Sequence, residues 1–173
     1  MAEENGAIGF GGDAPLGADA QPQVGVIAQY VKDLSFENPN APAVYQWQGQ
    51  PQVDVQFNIG AQLVGEDVHE VALKIEASSK TESGTVFTVD LLYAGLFALK
   101  NIPAEQLQPF LLAEAPRILF PFARQVLADA TIQGGFPPFL MDPIDFGALY
   151  MQRAAQEQAQ ALGGQFGEVT GQA

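Results

Sequence analysis

Residues 51–60 read PQVDVQFNIG. In an extended chain Val53, Val55, Phe57 and Ile59 fall on one side, and Asp54, Gln56 and Asn58 on the other. Successive side chains of a strand point to opposite faces, so this spacing describes a strand with one buried face. A helix would need apolar residues at intervals of three and four, and here they recur every second residue. The pattern continues downstream. About Asp67 to Ser78 sets Val71, Leu73 and Ile75 against Glu70, Lys74 and Glu76. About Thr85 to Tyr93 puts Phe87, Val89, Leu91 and Tyr93 on one face, with Val86, Thr88, Asp90 and Leu92 as a mixed row opposite. The connections, GED at 65–67 and SSKTESG at 78–84, have hairpin length. Short connections favour antiparallel pairing, because parallel strands need long crossovers.

Upstream, about Val24 to Phe36 gives a further strand. Val26, Ala28, Tyr30, Leu34 and Phe36 share one face, interrupted by Lys32; Gln29, Asp33, Ser35 and Glu37, with Val31, share the other. ENPNAP then ends it, since proline cannot donate to a ladder. After the strands come helical segments. AEQLQPFLLAEA (104–115) is a short apolar helix broken at or starting near Pro109, and PRILFPFARQVLADATIQGG (116–135) is opened by Pro116 and closed by Gly134 and Gly135. A last helix begins in MDPIDFGALYMQRAAQEQAQAL (141–162), with Asp142 as cap, Pro143 in the first turn and Asp145 reaching back. Four strands followed by helices predict an α+β fold: a four-stranded antiparallel sheet with helices packed on one face. The other face keeps apolar residues, especially on the second and fourth strands. Either long loops fold back over them or they meet another chain.

The domain spans 23–162. Residues 1–22, rich in Gly, Ala and acids without periodicity, read as a disordered arm, and 163–173 as a flexible tail. Lys and Arg number 7 against 20 Asp and Glu, a net charge of −13 that repels nucleic acid and anionic membranes and attracts basic segments. With no cysteine, thiolate chemistry and disulfides are excluded. The start lacks a signal peptide's basic flank and apolar run, and no apolar stretch is long enough for direct membrane insertion, so a cytoplasmic protein is expected.

Catalytic machinery is scarce. His69 is the single histidine and shares parity with Val71 and Leu73, which reads as a structural residue and makes a poor metal site. Asp33 and Glu37 lie on one side of one strand, roughly 13 Å apart at about 3.3 Å per residue, too far for a glycosidase pair. No phosphate loop or nucleophile elbow is present. Asp33, Glu37 and Asp90 read equally as a solvated sheet face or as a docking row. Aromatics are abundant, and GGFPPFLMDP (134–143) presents Phe136, Phe139 and Met141 on a proline-stiffened linker suited to gripping apolar segments, or to ordinary core packing.

YVKDLSFENPNAP (30–42), VFTVDLLYAGLF (86–97) and ILFPFARQVLADATIQGGFPPFLMDPIDFGALY (118–150) occur in this order. They resemble the SecB protein-export chaperones over about residues 24–155. The resemblance implies helices on one face of the sheet, and a homotetramer assembled as a dimer of dimers. It implies ATP-independent holding of unfolded preproteins in a translocation-competent state and their delivery to the SecA translocation ATPase, without enzymatic activity or cofactors. Asp33 and Glu37 match the acids of the family's SecA-contacting surface. Asp90 matches a third acidic position, where the family commonly has Glu, and Thr88 stands where Leu would be expected. Trp47, Phe87, Phe136 and Tyr150 match places in the client groove; Val53, Val55 and Phe57 join them from their alternation alone. A solitary SecB-like chaperone controlling a toxin–antitoxin system is the alternative. A carboxylate-dependent enzyme is the remaining one.

Overall fold

The computed structural model describes residues 21–165. Four strands form one sheet: β1 (Gln23–Glu37), β2 (Gln52–Gly65), β3 (Val68–Thr81) and β4 (Gly84–Lys100). Their spatial order is β1-β4-β3-β2, and every neighbouring pair is antiparallel. β2, β3 and β4 follow one another through turns of two residues, 66–67 and 82–83. Asp67, inside the first turn, takes φ 55°, and Gly84, immediately after the second, φ 139°. β1 docks on the far side of β4, so residues 38–51 carry the chain from one edge of the sheet to the other. A short 3₁₀ turn, Ala43–Gln46, lies within that crossover.

β4 runs well past the Tyr93 expected from its alternation. Ala94 and Gly95 dilute the pattern, yet Phe97 and Leu99 beyond them are buried. The glycine has a packing reason. A Cβ on Gly95 would stand 2.7 Å from Cδ2 of Leu119, so the bare backbone is what lets the covering helix come close.

The helices form α1 (Ala104–Pro109), a π-helical turn (Phe110–Glu114), α2 (Ala115–Gln133) and α3 (Phe146–Gln165). Pro116 was expected to open a separate helix. Instead the chain stays helical from α1 through α2. The Ala115 amide bonds back to the Phe110 carbonyl, five residues away, and this widened turn stands just before the proline ring. α2 closes as expected at the glycine pair. Gly135 takes φ 81°, its N–H reaches the Ile132 carbonyl at 2.9 Å, and the Phe136 N–H reaches that of Thr131 at 3.1 Å. The expected cap of the last helix is corrected. Asp145, not Asp142, accepts from the Ala148 N–H at 3.0 Å, and α3 starts at Phe146. Residues 134–145 are linker, held by Thr131, whose hydroxyl donates to the Ala128 carbonyl and accepts from the Phe139 amide.

The core lies between the helices and one sheet face. Val71, Leu73 and Ile75 of β3 and Val89, Leu91 and Phe97 of β4 meet Leu119, Ala123 and Leu127 of α2. β2 turns Val55, Phe57 and Ile59 to this same side, in register with Ala77, Ile75 and Leu73. Its outer row is therefore Asp54, Gln56, Asn58, Gly60 and Gln62. The apolar residues of the uncovered face come from β4 instead, as Leu92, Ala94 and Leu96, and not from the second strand.

β1 departs from simple alternation. Its pairing with β4 shifts between Val26 and Ala28 and again between Val31 and Asp33. Each bulge reverses which face the following residues take. Val24, Val26, Val31, Leu34 and Phe36 pair opposite buried β4 residues. Ala28, Tyr30, Asp33, Ser35 and Glu37 take the open face. The Lys32 that interrupts the sequence pattern sits at the second bulge, and it is the reason Tyr30 and Leu34 are not on one side.

Candidate functional site

The open face is acidic at one end. Across the sheet, Glu37 aligns with Thr88, Ser78 and Asp54, and in the next row Ser35 aligns with Asp90, Glu76 and Gln56. Asp33 follows in a row with Leu92 and Lys74. A shallow concavity of about 370 Å³ is lined by Glu37, Asp54, Glu76 and Asp90 together with Ser35, Gln56 and Thr88. The structure thus gathers Glu37 and Asp90 as two walls of one hollow and sets Asp33 beside it. Asp54 and Glu76, which the sequence reading did not single out, complete the cluster. Their signal was the polar row of each strand, read singly rather than as neighbours. Thr88 lies inside the hollow, its hydroxyl 3.4 Å from Glu37 Oε2. Lys74 pairs with Glu76, whose hydrogen bond, followed by the charges of Glu76 and Asp90, raises the Lys74 pKa. One cation thus offsets part of the negative charge at the rim.

Further along the same face, beyond the rows of Lys74 and Ala72, Glu70 accepts hydrogen bonds from Tyr30, Lys32 and Gln62. The Tyr30 bond, then that of Lys32, holds Glu70 below the ordinary carboxylate range. The same contact, with burial and the Glu70 charge adding to it, pushes Tyr30 up to about 12.

On the helix side the structure makes grooves. Phe57 and Ile59 at the β2 edge face Leu112 of the π turn and Leu149, Tyr150 and Ala154 of α3 around a cleft of about 380 Å³. Gln108, Arg153 and Glu157 form its polar rim. Phe146 anchors α3 there, edge-on to both Phe57 and Phe120 at centroid distances of 6.1 and 5.7 Å. Phe57 and Tyr150, read separately from the sequence, thus line one cleft. Val55 is half-buried one position along, and Val53 is 41% exposed at the edge.

The remaining groove candidates collect at the other end. Phe136 lies 5.3 Å from Phe87 and 5.6 Å from Tyr45 between ring centroids, and Phe36 stacks on Phe87 at 5.9 Å. Phe87 is only 6% exposed, so it backs Phe136 rather than offering its own surface. Tyr45 donates to the Gly134 carbonyl at 2.8 Å and ties the crossover to the end of α2. Trp47, half-buried in the crossover, covers Gly84, where a Cβ would come within 3.4 Å of the indole. An apolar hollow of about 540 Å³ between β1 and α2 is lined by Leu34, Phe36, Tyr45, Val126 and Ala130. His69 faces inward beside Leu63 and Phe97. Among the described residues no group of three or more metal-ligating side chains converges, and no helix is long and apolar enough to cross a membrane.

Known proteins resemble this chain over most of its length. The family model described as preprotein translocase subunit SecB matches residues 17–157. The protein-export protein SecB of Sphingopyxis alaskensis is 63% identical over 149 residues, covering 86% of this chain and 87% of that protein. That of Zymomonas mobilis is 63% identical over 139 residues, covering 80% and 85%. The counterpart in Bradyrhizobium diazoefficiens is 48% identical over 159 residues, covering 91% and 98%. Among solved structures, a SecB-like chaperone of Mycobacterium tuberculosis in complex with an antitoxin peptide superposes with a TM-score of 0.59 over 70% of this chain and 90% of its own. Its identity is 16%, so the likeness is one of fold. With the family model matching residues 17–157 and export proteins 63% identical over most of its length, the chain belongs to the SecB family.

Proposed function

We propose that this protein is a cytoplasmic, ATP-independent export chaperone that holds unfolded preproteins in its apolar grooves and delivers them to SecA through its acidic sheet face. The observation that carries this reading is the separation of surfaces. Phe57 and Tyr150 border a cleft on the helix side, whereas Glu37 and Asp90 border a hollow on the opposite side of the same sheet. A client and a basic partner can therefore bind together without competing for the same atoms. Unfolded segments bury apolar side chains at about 25 cal/mol per Å². Attraction by the net charge of −13 speeds encounter with a basic segment and weakens with salt. The chemistry is binding throughout, and no catalytic step or cofactor enters it.

A homotetramer, built as a dimer of dimers, completes the proposal. Among the described residues β1 pairs with β4 on one side only, and Val24, Val26, Ile27, Val31 and Leu34 along it are exposed. Phe122 and Ile132 expose further apolar surface on α2. Several grooves per assembly raise avidity for a long client without any new contact. Control of a toxin–antitoxin pair is the weaker reading: the export proteins named above are 48–63% identical to this chain and the antitoxin-bound chaperone 16%.

The test is a pair of charge reversals. Asp33→Lys and Glu37→Lys are expected to weaken SecA binding about tenfold or more while leaving folding and client holding intact. Calorimetry showing equal loss of client affinity would reject the division of surfaces.

A further inference from the structure

Glu70 lies on the face that no helix covers, yet it is only 8% exposed. It belongs to β3, and its donors come from the two edge strands. Tyr30 and Lys32 of β1 reach it across β4, Lys32 Nζ at 2.9 Å, and Gln62 of β2 reaches it at 3.0 Å. The row of Tyr30 continues through Ala94 and Ala72, two side chains short enough to be spanned by a phenol. Lys32 also sits at the point where the β1 register shifts, between Val31 and Asp33, and Tyr30 stands just before it.

That shift decides what the open face shows. β1 carries apolar residues on both of its sides, so its hydrophobic pattern alone specifies register weakly, and among the described residues of the chain its strand partner is β4. Without the bulge, Tyr30 and Asp33 could not share a face. Either the phenol would leave Glu70 or Asp33, Ser35 and Glu37 would turn toward the core. We propose that Glu70 is a positioning residue for the acidic row: by gripping Tyr30 and Lys32 it clamps the β1 bulge and so keeps Asp33 and Glu37 on the docking face. This rests on the reading of that face as the SecA-binding surface.

The test uses the full-length assembled protein and the variants Tyr30→Phe and Glu70→Gln. Each is expected to accelerate amide hydrogen exchange over residues 31–35 by about tenfold, leaving the β2–β3 pairing unchanged. Each should also weaken SecA binding at least about fivefold with client affinity unaltered, and the double variant should lose no more than the worse single one, because the contact removed by Tyr30→Phe is among those that Glu70→Gln disturbs. Exchange that is unchanged in β1, or that rises evenly over the whole sheet, overturns the clamp. So does faster β1 exchange with SecA affinity intact while Asp33→Lys still abolishes it. If Asp33→Lys leaves SecA binding untouched, it is the docking reading that falls, and the exchange rates still decide the clamp.

Discussion

Glu70 is the residue whose ionisation the fold most plainly exploits. Its folded pKa lies below the ordinary value of 4.5, first because Tyr30 donates to it and then because Lys32 does. A carboxylate with a lowered folded pKa stabilises the protein above the unfolded value, and that contribution disappears as pH falls through the folded one. Tyr30, raised to about 12 from 10.0, works in the opposite sense: its contribution is present below pH 10 and is lost as pH rises toward 12. Tyr30→Phe is therefore expected to cost about 1–2 kcal/mol near neutrality, with the difference from the parent shrinking at both extremes. Urea unfolding midpoints across pH, at fixed protein concentration, check this. A constant difference at every pH would show that Glu70 and Tyr30 do not titrate together.

At the scale of elements, the ends of helices and strands are set by single side chains that compete for the same role. Three residues between Met141 and Phe146 look capable of opening α3: Asp142, Pro143 and Asp145. Only Asp145 offers its carboxylate to the Ala148 amide, while its carbonyl receives the Leu149 N–H at 3.2 Å. Asp145→Ala should cost about 1 kcal/mol and Asp142→Ala close to nothing, measured as shifts in thermal or urea midpoint. Equal costs would return the cap to the earlier position. The linker stays extended before that point because Pro137, Pro138 and Pro143 disfavour helix in the residues preceding them. Its start is fixed instead by the closure of α2 at Gly135 and by the Thr131 hydroxyl.

At the scale of the whole molecule, the exposed apolar residues are unevenly distributed. Phe122 is 52% exposed at the middle of α2, a helix whose opposite side fills the core. A large aromatic in that position favours a helix-facing contact between copies. Phe122→Arg is expected to shift the species seen by sedimentation toward dimer or monomer without unfolding the chain, since the side chain contributes little to the core. An unchanged assembly would place the interface elsewhere, leaving the β1 edge as the remaining candidate.

What the sequence determined by itself is whatever depends on periodicity and on short motifs. Period-two alternation gave strands β2, β3 and β4 and the face that meets the helices, because one face of each is buried and every second residue must be apolar. The glycine pair gave the end of α2, because positive φ leaves few alternatives to glycine. The three family-like segments gave membership. The tertiary structure alone decided the order β1-β4-β3-β2, the two bulges of β1 and the company each acid keeps. Asp33, Glu37, Asp54, Glu76 and Asp90 come from four strands, and nothing local makes them neighbours. The burial of Glu70 on an uncovered face is of the same kind. Its three donors lie 8 to 40 residues away in the chain, and only pairing across the sheet brings them to one carboxylate.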